Sequence, residues 1–175
     1  MQVRKGEVVV HPQHGPARVE NVETRKIGGA SRRYLTLRIF TDDMTVALPV
    51  EVAEDIGVRS VVDADGVTEV FAVLTDESEP FDKVWSRRLK QNTERLRSGN
   101  IRTIAALVRD VTRRDDEKRV SYGEASLVRE GMSLLREELA AALDITAEGA
   151  EDMVLTALRE RVRPEIPEPA LPKAS

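Results

Sequence analysis

The sequence predicts an α+β protein of two domains, in which a small β-barrel or strongly bent sheet precedes a compact helical domain. Apolar residues recur with a period of about two up to residue 50 and with a period of about 3.6 beyond it. At 175 residues the chain is long enough to bury a core, which Val, Leu, Ile and Ala would form. The chain has no cysteine, so no disulfide supports that core. We place the domains at residues 1–54 and 55–163, followed by a proline-rich tail at 164–175 that we expect to be disordered.

Four short strands are predicted in the first domain. They lie in EVVV at 7–10, ARVENVETRKI at 17–27, SRRYLTLRIF at 31–40 and MTVALPV at 44–50. Gly28 and Gly29 adopt positive φ without steric cost, so they predict a hairpin between the second and third strands. Asp42 and Asp43 are typical turn residues before the fourth strand.

Helices are predicted throughout the second domain, and strand signals end near residue 50. We expect helices at 66–75, at 81–99, from Asn100, from Ser121 and at 147–162. Gly99 is expected to cap the second of these, and Asn100 to begin the next. Ser121 and Glu124 have the spacing of a capping box.

Basic residues concentrate in residues 83–119. This segment has twelve Lys and Arg against five Asp and Glu, whereas the whole chain has a net charge of −4. An excess of this kind is typical of surfaces that neutralise phosphates without reading sequence. The alternative is an ordinary solvated helix face. The helix that begins at Asn100 has an apolar stripe, which predicts a buried face. We expect the arginines of this helix to lie outside that stripe: Arg102, Arg109, Arg113 and Arg114.

The single tryptophan, Trp85, lies inside the basic segment. Trp85, Leu89, Asn92 and Leu96 step by four, three and four residues, so on spacing alone they share one face of an amphipathic helix. This favours packing of Trp85 in the core.

No catalytic residue, metal site or cofactor is predicted. His11 and His14 are the only histidines, and Pro12 places them in a turn without a third ligand. The chain has no signal-peptide pattern and no apolar stretch of membrane-spanning length. We therefore expect a soluble cytoplasmic protein that does not contact membranes.

Four stretches carry a resemblance to a known family. They are KGEVVVHPQHGPARVENVETRKI at 5–27, YLTLRI at 34–39, WSRRLKQNTERLRSGN at 85–100 and VRDVTRRDDEKRVSYGE at 108–124. In order and spacing, the chain resembles the CarD/CdnL family of bacterial RNA polymerase-binding transcription regulators. Its first domain is also similar to the polymerase-interacting domain of the transcription-repair coupling factor.

The resemblance implies a Tudor-like first domain that binds the RNA polymerase β subunit, with Arg25 at the contact. It implies that Trp85 acts as a wedge at the upstream edge of the transcription bubble, while Arg87, Arg88 and Lys90 hold the flanking phosphates. The expected result is a monomeric, non-enzymatic regulator that stabilises the open complex on promoter DNA without strong sequence specificity. It would associate with the nucleoid through the polymerase.

Two alternatives stay open. The helical domain could make protein contacts only, as an adaptor that binds an acidic surface. The chain could also be a divergent paralogue with altered docking, because Ala47 stands where the resemblance leads us to expect a second basic residue.

Overall fold

The computed structural model describes residues 3–41, 44–117 and 119–166, which form two compact units, Met1–Val61 and Val62–Ser175. The division falls seven residues after the predicted boundary at residue 54. The predicted turn at Asp42 and Asp43 and the tail from residue 167 onward lie outside the described residues.

The first unit is an antiparallel sheet with strand order β4-β3-β2-β1-β5. Its strands are β1 (Val8–His11), β2 (Gly15–Ile27), β3 (Ala30–Ile39), β4 (Thr45–Pro49) and β5 (Arg59–Ser60). In the described residues β4 and β5 are the two edges and do not pair, so of the predicted barrel or strongly bent sheet the structure has an open sheet. The two-domain α+β architecture is confirmed.

The predicted hairpin joins β2 and β3. Their ladder runs from Ala17 opposite Ile39 to Ile27 opposite Ala30. Gly28 and Gly29 turn the chain with φ of +60° and +84°, conformations that residues with a Cβ rarely adopt.

The chain between β4 and the second unit differs from the prediction. Helix α1 (Val50–Asp55) buries Val50 and Ala53 against the sheet, and β5 then pairs with β1. These residues therefore belong to the first unit. A strand of two residues has no periodicity, which is why the alternation of apolar residues did not reveal β5.

The described residues of the second unit form five helices. They are α2 (Ala64–Thr75), α3 (Trp85–Arg97), α4 (Ile101–Glu117), α5 (Tyr122–Leu143) and α6 (Ala147–Glu160). Their apolar faces share one core, whose largest fully buried side chains include Phe71, Leu107, Leu135 and Leu139. No described helix is both long and apolar enough to cross a membrane.

Two predicted caps are confirmed. The Asn100 side chain accepts hydrogen bonds from the backbone N–H groups of Arg102 and Thr103, at 3.0 and 3.3 Å, at the start of α4. Ser121 and Glu124 form the capping box of α5. Helix α3 begins four residues later than predicted, at Trp85, and it starts without a side-chain cap.

Candidate nucleic-acid interface

Trp85 lies at the first residue of α3 and is 52% exposed. The stripe predicted from spacing is buried farther along the helix, where Asn92 and Leu96 lie in the interior. Because α3 begins at Trp85, no earlier helical turn covers the indole, and the core-packing alternative is wrong. Phe81, Val84 and Tyr122 are further exposed apolar side chains of this unit.

Four exposed cations accompany Trp85 on or just before α3. We call Lys83, Arg87, Lys90 and Arg97 the outer row. Within α3, its members lie within about one quarter of the helix circumference, together with Glu94. None of the four has an ion pair with the described residues. They are available to a polyanion.

Arg88, the remaining predicted phosphate contact, points into the domain. Its Nε donates to Glu124 Oε1 at 2.7 Å, and its Nη1 donates to the Asp82 carbonyl oxygen at 2.8 Å. Its side chain is mostly buried. These contacts join α3 and the segment before Trp85 to the start of α5, so the Arg88 guanidinium is engaged within the helical unit and is not free for a phosphate.

Glu124 is a fully buried carboxylate shared by two arginines. Arg114 Nη2 donates to the same Oε1 at 2.7 Å, and the Ser121 Oγ and backbone N–H donate to Oε2. Burial by itself raises the pKa of Glu124, but the hydrogen bonds from Arg88, Arg114 and Ser121 outweigh it and lower the pKa to about 2. The group is therefore ionised at neutral pH.

Two arginines of α4 cap the end of α2. Arg109 Nη1 donates to the Val73 carbonyl oxygen, and Arg113 Nη2 donates to the Leu74 carbonyl oxygen, each at 2.9 Å. The last carbonyls of a helix attract cations, and α2 has no basic residue in its own last turn. Arg109 and Arg114 occupy buried positions, which corrects the expectation that the α4 arginines lie away from the packed face.

Arg25 lies on β2 in the first unit. Its guanidinium pairs with Glu23 and lies 5.0 Å from the centre of the Tyr34 ring. The side chain is partly exposed, so it is accessible to a partner. Ala47 is exposed on edge strand β4.

The two histidines lie close together, with ring centroids 4.7 Å apart. His11 is buried, and its Nδ1 accepts from the Gln13 backbone N–H at 3.2 Å. Burial, followed by the charge of His14, lowers the pKa of His11. No group of three metal-type ligands occurs among the described residues, and the absence of a metal stays a prediction.

Two family models match the chain. The model described as CarD-like/TRCF RID domain matches residues 3–62, and the model described as CarD, C-terminal domain, matches residues 69–155. The chain is also 26% identical to "Putative transcription factor YdeB" of Bacillus subtilis (strain 168) over 141 residues, which cover 81% of this chain and 92% of that relative.

Proposed function

Because the chain belongs to the CarD family of transcription regulators, we propose that it regulates transcription initiation by joining RNA polymerase to promoter DNA. The first unit, which matches the RID model, would bind the polymerase β subunit. The helical unit would contact the upstream edge of the transcription bubble and stabilise the open complex. No chemical step is part of this function.

The DNA contact rests on Trp85. A half-exposed indole at the start of a helix can pack against an unstacked base, and apolar wedges of this kind hold DNA distorted. Arg87 and Lys90 are exposed farther along the same helix and have no ion pair with the described residues, so they can neutralise phosphates of DNA that passes along α3. Such contacts carry no base identity, so the polymerase and the shape of the fork would supply selectivity.

The test is the lifetime of promoter open complexes after a competitor is added, with bacterial polymerase from a matched source. The protein should lengthen this lifetime, and Trp85→Ala should remove the effect. Val162→Ala, which shortens another exposed apolar side chain of the same unit, serves as the control and should act like wild type. If Trp85→Ala lengthens the lifetime as much as wild type does, the wedge is not the mechanism.

Polymerase docking is tested separately with Arg25→Glu. Reversal of this exposed charge should abolish capture of the isolated β subunit. An acidic group of the β subunit that pairs with Arg25 would lose its partner and face a carboxylate of the same charge. Arg159→Glu makes the same reversal on α6 and should leave capture unchanged. Unchanged capture by Arg25→Glu would remove Arg25 from the interface.

The adaptor alternative is favoured by one observation, the internal pairing of several arginines in the basic segment. It predicts that the full chain binds β subunit but not forked DNA. Binding of forked DNA that weakens steeply with salt would exclude it.

A further inference from the structure

A cleft of about 240 Å³ opens beside α3, between the segment that precedes the helix and α4. Phe81, Gln91, Asn92, Arg95 and Asp110 are among its lining residues. Clefts that hold drug-sized ligands measure about 300–1,000 Å³, so this one suits a single small ring system.

Asn92 is the unusual residue in this lining. It is only 5% exposed, yet its side chain has no hydrogen-bond partner among the described residues. Asn92 lines the cleft, which is the open space beside this side chain. Buried amides are normally paired, because an unpaired one costs free energy. A ligand with an adjacent donor and acceptor would satisfy both ends of the carboxamide.

The charges around the cleft are already matched. Arg95 pairs with Asp110 at 3.0 Å and with Glu79 at 3.6 Å, and Arg88 and Arg114 share Glu124. An anionic group would have to displace one of these carboxylates. The cleft therefore suits an uncharged polar ligand.

Phe81 adds a flat apolar surface. Its ring lies 5.8 and 5.2 Å from the guanidinium carbons of Arg88 and Arg114, which restrain it, and 53% of the residue is exposed. A restrained aromatic ring with free surface is a stacking platform for a planar heterocycle.

We propose that this cleft receives an unpaired nucleobase of the melted DNA, which stacks on Phe81 and pairs with Asn92. Adenine fits best, because its neighbouring acceptor and amino donor match a carboxamide. Asn92 follows Trp85 by seven residues, or two turns and about 10 Å on the same helix face, so the base would lie next to the wedge. A base that is already unpaired enters such a pocket at little cost. This inference rests on the proposed function, since it needs DNA at Trp85.

The test uses the full chain and forked DNA, with adenine, thymine or an abasic site at each of the first three unpaired positions of either strand. At one position, wild type should bind the adenine fork about tenfold more tightly than the thymine fork, as expected for one two-point amide contact. Asn92→Ala should bind the adenine and thymine forks alike, although both bases can still stack on Phe81 and bind better than the abasic site. Asn21→Ala, the same truncation in the first unit, should keep the preference for adenine.

Stability separates this role from a structural one. Asn92→Ala gives up no hydrogen bond within the described residues, and Asn92→Leu replaces an unpaired amide by an apolar group. Both variants should therefore melt at the wild-type temperature or above it while the base preference disappears. A fall in melting temperature of several degrees in both would show that Asn92 serves the fold, and would overturn the proposal.

The remaining outcomes are distinct. If Trp85→Ala weakens fork binding but wild type treats adenine and thymine forks alike at every position, the cleft proposal fails and the proposed function stands. If wild type does not bind forks, or Trp85→Ala binds them equally well, the DNA contact itself fails, and the cleft proposal with it. If Asn92→Ala weakens capture of polymerase and leaves the base preference intact, the cleft holds a protein side chain instead.

Discussion

The outer row and a second set of cations belong to the same basic segment, but they face different partners. The second set, the inner arginines, is made of Arg88, Arg95, Arg109, Arg113 and Arg114. Each inner arginine donates to a carboxylate or a backbone carbonyl of the helical unit, whereas the outer row has no ion pair with the described residues. Net charge in a segment therefore overstates the charge that a DNA strand can meet.

The two sets also differ in residue type. All five inner cations are arginines, whereas both described lysines of the segment, Lys83 and Lys90, are in the outer row. A guanidinium offers five donors in a planar fork, so it can bind two acceptors at once, as Arg88 does with Glu124 and the Asp82 carbonyl. A lysine ammonium is a point charge that is costly to bury but serves well opposite a phosphate. The inner positions therefore hold arginine alone, whereas the outer row holds arginines and lysines alike.

The largest effect should come from Glu124→Gln. This change leaves Arg88 and Arg114 inside the domain without their shared carboxylate, and the loss of one partner of a buried ion pair costs about 3–5 kcal/mol. Urea denaturation should show this loss in the free energy of unfolding. Glu130→Gln, an exposed acid on the same helix, should change it by less than about 0.5 kcal/mol. Equal stability of the two variants would mean that the inner arginines do not depend on Glu124.

Acid should remove the same contribution gradually. The folded pKa of Glu124 is about 2 and its ordinary value is 4.5, so the unfolded chain binds more protons in between. The contribution of Glu124 to the free energy of unfolding should therefore be fully present above pH 4.5. It should fall by about 3 kcal/mol as the pH approaches 2, at 1.36 kcal/mol per pKa unit. Glu124→Gln lacks this group, so its free energy of unfolding should converge on that of wild type in acid. A constant difference from pH 6 to 2 would contradict the ionised state of Glu124.

Most of the fold was predictable because periodicity and caps are local signals. Four strands and all five helices of the second unit follow from apolar spacing, and Asn100 and Ser121 follow from cap chemistry. The exceptions are β5, which has only two residues, and the start of α3. Apolar spacing continued through Phe81 and Trp85, whereas the chain before Trp85 is not helical.

The partners of the inner arginines were not predictable, because they are distant in sequence. Arg88 and Glu124 are separated by 36 residues, as are Arg109 and Val73. The capping box identified Glu124 as a polar residue at a helix start, and gave no sign that its other oxygen binds two arginines. Spacing places Asn92 on the same helix face as Trp85 and Leu96, but its missing hydrogen bond is visible only in three dimensions.

Arg87→Ala and Lys90→Ala should change stability least, but each should weaken the binding of duplex DNA. Both side chains are exposed, so each variant should unfold within about 0.5 kcal/mol of wild type. On duplex DNA each should bind more weakly, and the slope of log affinity against log salt should fall by about 1, the value for one lost phosphate contact. Fluorescence anisotropy titrations across a salt series measure both quantities.

Arg95→Ala, which truncates an inner arginine, is the control for Arg87→Ala and Lys90→Ala. The comparison uses duplex DNA because Arg95 also lines the cleft proposed to hold an unpaired base. Arg95→Ala should lose stability, since it leaves Asp110 with one arginine fewer, and keep the wild-type salt slope. If its slope falls as much as that of Lys90→Ala, the inner ion pairs open on DNA and the two sets are not distinct. If no variant changes the slope, the outer row does not meet phosphate, and the adaptor alternative becomes the better account of the helical unit.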